Sequence, residues 1–244
     1  MLASSVTNTS HILDHPVQAA FQSHWRPVAR RTGSAWMLPS DIGPFAAQGG
    51  HSQEDQSDFS RMLSERGAPV IVLQKDDVTV PDNTEVLAHE EGVQMVYGGD
   101  VVENDDFGHV KLSEQDAVDM HALAHLTAPG PFAERTHVLG EFIGIKKDDQ
   151  LIAMAGQRMQ TPGWTEISAV CVHPDSRGQG LATKLIKAMC GIIQSSGQVP
   201  FLHTYASNVG VIALYEKLGF RLRTRVHVAS LAHRQQMGRS LAAS

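Results

Sequence analysis

The stretch Val170-Cys171-Val172-His173-Pro174-Asp175-Ser176-Arg177-Gly178-Gln179-Gly180-Leu181-Ala182 decides the reading of this chain. It leaves a β-branched strand, Thr165 to Val172, stops at a proline, and enters a helix of about Gly180 to Gln194. Leu181, Leu185, Met189 and Ile193 recur every four residues of that helix, and Lys184 and Lys187 fall off the apolar row, as an amphipathic helix requires. Glycines just before a helix let successive backbone N–H groups point into one concavity, where the helix dipole adds positive potential. Such a loop suits a phosphate or pyrophosphate, and Arg177 adds a forked cationic donor. A P-loop would need Gly-Lys-Ser/Thr here, and a dinucleotide fingerprint would need a glycine where Thr183 stands. Both are excluded.

Outward from the loop, the pattern remains legible. Upstream, Ser113 with Asp116 resembles a capping box, and Ala117, Met120, Leu123 and Ala124 follow at helical spacing. Two strand-like runs, Val138 to Ile145 and Leu151 to Met159, flank a polar turn. Downstream, Val199 to Tyr205 reads as a strand, a helix runs from the N-cap type Asn208 to Gly219, and Phe220 to Ala229 closes as a strand. The order β-α-β-β-β-α-β-α-β predicts an α/β fold with a mixed sheet. Residues 1–105 read as an additional α+β half, with a helix over Gln53 to Glu65 and strands at Val70 to Leu73 and Gln94 to Tyr97. The Gly, Asp and Asn of Gly98 to Gly108 place a boundary there, giving regions 1–105 and 106–244.

Composition narrows the partners. A 244-residue chain that is 42% hydrophobic has ample material for a packed core, and its net charge of −6 argues against a nucleic-acid binder. Two cysteines, Cys171 and Cys190, cannot build a disulfide framework. No apolar run approaches the roughly 18–20 residues of a membrane helix, and Met1 to Ser10 lacks the pattern of a secretory signal, so a cytoplasmic location is expected.

About thirty residues beyond the glycine loop comes Asn208-Val209-Gly210-Val211-Ile212-Ala213-Leu214-Tyr215-Glu216-Lys217-Leu218-Gly219-Phe220. The two segments, in this order, resemble the GNAT superfamily of acetyl-coenzyme A dependent N-acetyltransferases. The second resembles its Asn-x-x-Ala-x-x-x-Tyr-x-x-x-Gly-Phe segment, with one extra residue before Ala213. One departure stands out: the family loop often has Gln or Arg three residues before the first glycine, and this chain has Asp175.

The resemblance covers roughly residues 108 to 230 and implies a GNAT-like mixed sheet flanked by helices. It also implies acetyl-CoA as cosubstrate, an amine as acceptor, and no metal. A bulged strand, Val170 to Val172 with Cys171 between, would free backbone groups for the pantetheine arm, and the two central strands would splay around it. The pyrophosphate would lie on the amides of Arg177, Gly178, Gln179, Gly180, Leu181 and Ala182. Asn208 would contact the pantetheine arm, cap its helix, or do both. Tyr215 would protonate the leaving thiolate. Glu166 is the candidate general base, or else a solvated strand-end carboxylate, with His203 and Tyr205 as substitutes. Phe132 and Arg135, in the loop after the first helix of the family region, are acceptor-pocket candidates.

The expected reaction is direct transfer of an acetyl group to a primary amine of a small molecule in a ternary complex. The alternatives are a protein or peptide amine as acceptor, or a coenzyme A binding sensor without catalysis. The first half would complete the acceptor pocket or be a degenerate half of a tandem arrangement. Among the 13 histidines, His121 and His125 share a helix face, but Ala122 stands where a zinc peptidase has its glutamate.

Overall fold

Ala-, Leu- and Met-rich sequence around residues 151–159 forms an interior strand of an eight-stranded sheet, buried on both faces. The fold is described from a computed structural model for residues 10–102 and 107–234. Before the sheet proper come helix α1 (Pro16–Gln22) and a small antiparallel sheet of β1 (Arg30–Thr32), β2 (Ala35–Met37) and β3 (Ala46–Ala47). Helix α2 (Gln53–Arg66) follows, capped by a Ser52–Asp55 capping box. The large sheet takes β4 (Val70–Gln74) and β5 (Thr84–Tyr97) from this first half. The second half supplies β6 (Val110–Leu112), α3 (Ala117–Thr127), β7 (Phe142–Lys147), β8 (Gln150–Thr161), β9 (Trp164–Val172), α4 (Leu181–Ser195), β10 (Val199–Tyr205), α5 (Val209–Lys217) and β11 (Phe220–His233). The element order expected from residue 110 onward is the one observed.

Spatially the strands run β4-β11-β5-β10-β9-β8-β7-β6. Strands β9 and β10 are parallel, and the other described neighbours are antiparallel. Successive residues of a strand face opposite sides, so β10 shows the two layers directly. Leu202 packs with Leu185, Ile186 and Met189 of α4, whereas Phe201 packs with Leu13, Phe21, Trp25 and Phe45 of the first half. On the second face α3 lies beside that cluster, with Met120 and Leu123 against Phe142 and Met154.

Strand β11 runs four residues past the expected Ala229, to His233, and two further strand boundaries differ from expectation. Val138 belongs to a 3-10 turn, Thr136–Leu139, because the Thr136 hydroxyl accepts from Ala133 N (2.7 Å) and donates to the Ile42 carbonyl (2.7 Å). Strand β5 begins ten residues earlier than Gln94, since Val86 to Glu91 are exposed and carry no alternation to read. That strand matters most. The break expected near residue 105 falls between β5 and β6, and residues 103–106 lie outside the described ones. The sheet nevertheless continues across it, with β5 from the first half lying between β10 and β11. A division of the chain there is not a division of the sheet.

Candidate active site

The site begins where a ladder ends. Strands β9 and β10 pair at Trp164–Val199, Thr165–Pro200 and Glu166–Phe201, and their pairing stops there although both strands continue. Parallel strands that part company leave N–H and C=O groups on both inner edges, here Ile167 to Val172 and Leu202 to Tyr205. On its other edge β9 carries a bulge, because Cys171 faces Met154 but Ser168 faces Gly156. The extra residue is accommodated at Ala169–Val170, with Ala169 in the left-handed region at φ +52°. The bulge therefore lies one residue before the segment expected from sequence. Its backbone groups and the free inner edge are left to pair with an amide-bearing chain, as a strand edge does.

The glycine loop closes the same end. Pro174–Ser176 form a 3-10 turn, and the His173 ring accepts from Asp175 N. Gly178 and Gly180 have φ of +77° and +73°, and a Cβ on either meets nothing within 4 Å. Gly180 is the N-cap of the 15-residue α4, so no side chain caps that helix, and no acidic residue occupies its first turn. The orphan amides of its first turn thus face solvent with the positive helix end behind them, as a pyrophosphate requires. Asp175, the departure from the family pattern, is exposed and points its carboxylate toward the His173 ring at 3.8 Å. We expect Gly180→Val to fold, at a left-handed strain cost of about 1–2 kcal/mol. Its acetyl-CoA Kd should rise about tenfold or more by calorimetry, since one good charge-assisted contact is worth ~1.5–3 kcal/mol. Unchanged affinity would remove the phosphate assignment.

At the apex of the opening stands Glu166, fully buried. Arg158 grips it in a fork, Nε to Oε2 at 2.8 Å and Nη2 to Oε1 at 2.7 Å, while His203 Nδ1 lies 2.7 Å from Oε1. Burial pushes this carboxyl up, but the Arg158 charge and the hydrogen bonds from Arg158 and His203 more than reverse it, to about 2. Both oxygens of this carboxylate are thus taken by donors in the interior. Glu166 is therefore not the solvated strand-end carboxylate that the sequence also allowed. The other ring nitrogen of His203, Nε2, lies 3.0 Å from the Gln94 amide nitrogen. Tyr205 is exposed near the end of β10.

Tyr215 is buried on the opposite face, packed against Phe220. Burial, with the Glu166 charge, pushes its phenol up to about 12. Asn208 is the N-cap residue of α5 but makes no side-chain capping hydrogen bond; its amide nitrogen reaches Thr204 Oγ1 at 3.3 Å, and the residue is exposed. Cys171 packs beside α3, and burial raises its thiol to about 11, unsuited to a covalent acyl route. Arg135, half-exposed, pairs with Asp41 at 2.9 Å. Phe132 packs edge-on against Phe142. His121 and His125 stack with ring centroids 6.4 Å apart, and no group of three metal-ligating side chains occurs among the described residues.

A family model described as FR47-like protein matches residues 142–228. A solved structure from Novosphingobium aromaticivorans, assigned to the GNAT family of acetyltransferases, shares 36% identity. The match covers 92% of this chain and 99% of that one, with a TM-score of 0.85. The chain belongs to the GNAT family. A GCN5-related N-acetyltransferase from Kribbella flavida has the same fold at 14% identity, covering 89% and 95% of the two chains with a TM-score of 0.59. A GNAT protein from Colwellia psychrerythraea aligns over 91% and 97% at 14% identity and a TM-score of 0.51. No curated protein sequence matches. The GNAT fold thus accounts for the mixed sheet and its flanking helices, and no described helix is long and apolar enough to cross a membrane.

Sequence reading missed Ala169 and Arg158, and with them Gln94, Arg223 and Asp14. Arg158 did carry a signal. A charged residue inside the apolar run Leu151 to Met159 must find a buried partner, and Glu166 is the acid on the neighbouring strand.

Proposed function

We propose that the protein transfers an acetyl group from acetyl-CoA to a primary amine of a small molecule by direct attack in a ternary complex. The observation that carries this reading is the end of the β9–β10 ladder at Glu166–Phe201, with the bulge and the uncapped α4 on the opening side. The inner edge of β9 with Val170, Cys171 and Val172 would bind the pantetheine amides. Arg177 and the amides from Gly178 to Ala182 would hold the pyrophosphate, and Asn208 would sit beside the arm. Acetyl-CoA brings an activated thioester, so the chain's contribution is positioning and charge stabilisation, of which positioning alone is worth about 7–11 kcal/mol.

A small acceptor is favoured by what covers the other face. Trp25, Phe45 and Leu13 pack over the central strands, and Arg135–Asp41 and Thr136–Ile42 tie the loop after α3 to the first half. That cover suits an enclosed pocket more than an open groove for a protein.

The acid–base roles follow from the magnitudes. A phenol at about 12 stays protonated throughout the working range, but an ordinary thiol ionises near ~8.5, so full proton transfer from Tyr215 to a departing thiolate is uphill. Tyr215 therefore serves as a hydrogen-bond donor to the leaving sulfur. Tyr215→Phe should lower kcat about 10- to 100-fold, the value of a hydrogen bond to a charged group, without changing acetyl-CoA affinity or the shape of the pH profile. A wild-type rate would make Tyr215 a packing residue. With Glu166 and His203 both occupied, the amine enters as its free base, and kcat/KM should rise with pH toward the acceptor's own pKa. The reading itself is tested by thiol release from acetyl-CoA across free amino acids, polyamines, aminoglycosides and peptides. Binding without turnover across the whole panel would point to a sensor.

A further inference from the structure

Glu166 and His203 are two members of a longer row. It crosses five neighbouring strands on the face covered by the first half: Arg158 on β8, Glu166 on β9, His203 on β10, Gln94 on β5 and Arg223 on β11. Gln94 is fully buried and stands directly opposite His203 in the β5–β10 register. Arg223 Nη1 donates to Gln94 Oε1 at 2.8 Å, and Arg223 also grips Asp14, at the end of the turn Ile12–Asp14. Lys75 approaches Asp14 at 3.5 Å, and His11 N donates to the same carboxylate.

These partners determine where the His203 proton lies. A guanidinium can only donate, so the Gln94 atom facing Arg223 is the carbonyl oxygen. Its amide nitrogen then donates to the Leu13 carbonyl at 2.9 Å and to His203 Nε2 at 3.0 Å. Nε2 must accept and carries no proton, which leaves the imidazole hydrogen on Nδ1, pointing at Glu166. The groups facing the ring from the packed elements are Glu166 and Gln94, with Phe201 edge-on, and Arg158 and Arg223 stand one partner further on each side.

Resting on the acyl-transfer reading, we propose that Gln94, held by Arg223, Asp14 and the Leu13 carbonyl, is a positioning residue of the site. It fixes His203 as the Nδ1–H tautomer, and the His203–Glu166 hydrogen bond takes over the spacing of β10 and β9 where their backbone ladder stops. The turn Ile12–Asp14 thereby sets how the coenzyme cleft begins to open. None of these residues touches the reacting atoms.

The experiment combines long-range ¹H–¹⁵N NMR of histidine rings with acetyl-CoA calorimetry and thiol-release kinetics, on the full chain and on Gln94→Glu and Arg223→Lys. In the wild type, His203 should show a protonated Nδ1 and a bare Nε2. Gln94→Glu puts an acceptor opposite Nε2 and should protonate it. A displacement of even 1 Å at the reacting centre costs about 10²-fold, so kcat should fall about 10- to 100-fold in that variant. The Kd for acetyl-CoA should stay within about threefold, because the pyrophosphate loop is untouched. Arg223→Lys keeps the charge beside Asp14 without the fork, and carries the same readouts if Gln94→Glu does not fold. A wild-type Nε2–H tautomer overturns the proposal, as does a changed tautomer with unchanged kcat. If the wild type turns over no amine, the acyl-transfer reading fails, and the His203 tautomer in the wild type and in Gln94→Glu still decides whether Gln94 fixes the ring.

Discussion

A chain beginning at residue 106 is expected to have no cooperative unfolding transition and no measurable acetyl-CoA affinity. Every segment proposed to bind the coenzyme lies after residue 165, and from that distribution alone the shortened chain would keep the coenzyme. The sheet says otherwise. Removing β4 and β5 takes out the strand that bridges β10 and β11, and β11 loses its partners on both sides. It also uncovers Phe201 and Met159, which pack on Leu13, Phe21 and Trp25. Burying a large apolar side chain is worth about 1.5–3 kcal/mol, so exposing about five of them costs as much as the ~5–15 kcal/mol stability of an ordinary domain. Calorimetric scanning decides the matter. A sharp heat-absorption peak from residues 106–244 alone would show that the first half is dispensable for folding.

Glu166→Leu should destabilise the protein by about 3–5 kcal/mol, because it strands the Arg158 guanidinium in the interior without a partner. Its side chain is only 10% exposed. For a chain of this size that is a fall of roughly 10 °C or more in Tm. Adding Arg158→Met should recover most of the loss, since replacing both members of a buried pair is far milder than replacing one. The same carboxylate makes a pH prediction. Its pKa in the folded state, about 2, lies below the ordinary 4.5, so the unfolded chain binds the proton more readily. The stabilisation is complete above about pH 4.5 and is lost as pH falls through 4.5 toward 2, at most about 3 kcal/mol in all. Thermal unfolding between pH 7 and 3 should show this slope in the wild type and a shallower one in the double variant. A Glu166→Leu protein that loses less than ~1 kcal/mol would contradict the assignment of Glu166 as an ionised, paired group.

The legibility of the fold followed the burial of each element. Helix α4 and strands β9 and β10 were readable to within a residue or two because they bury whole faces, and burial imposes periodicity. The first ten residues of β5 were not, since an exposed edge tolerates Glu90, Glu91 and His89 without pattern. For the site, the glycine loop was legible because it depends on backbone freedom that only certain residues allow. Glu166 was visible as a residue, but its role was not. That role is set by Arg158 eight positions earlier and His203 thirty-seven later, through pairings that local sequence does not encode. The bulge at Ala169 had no local signal either, since nothing in Ser-Ala-Val distinguishes a left-handed alanine from an extended one.

The placement of β5 also bears on how the chain is made. Val96 pairs with Phe201 about 105 residues later, and Tyr97 pairs with Phe220. At synthesis rates of about 5–20 residues per second, β5 waits on the order of 5–20 s before either neighbour has been translated. During that interval Val93 and Met95, buried in the finished protein, have no strand beside them. Folding of this GNAT-family chain is therefore dominated by contacts distant in sequence, which slows it relative to domains of local topology. The nascent first half is the stage at which the protein is most exposed to aggregation, and the stage at which a holding chaperone would have the most to shield.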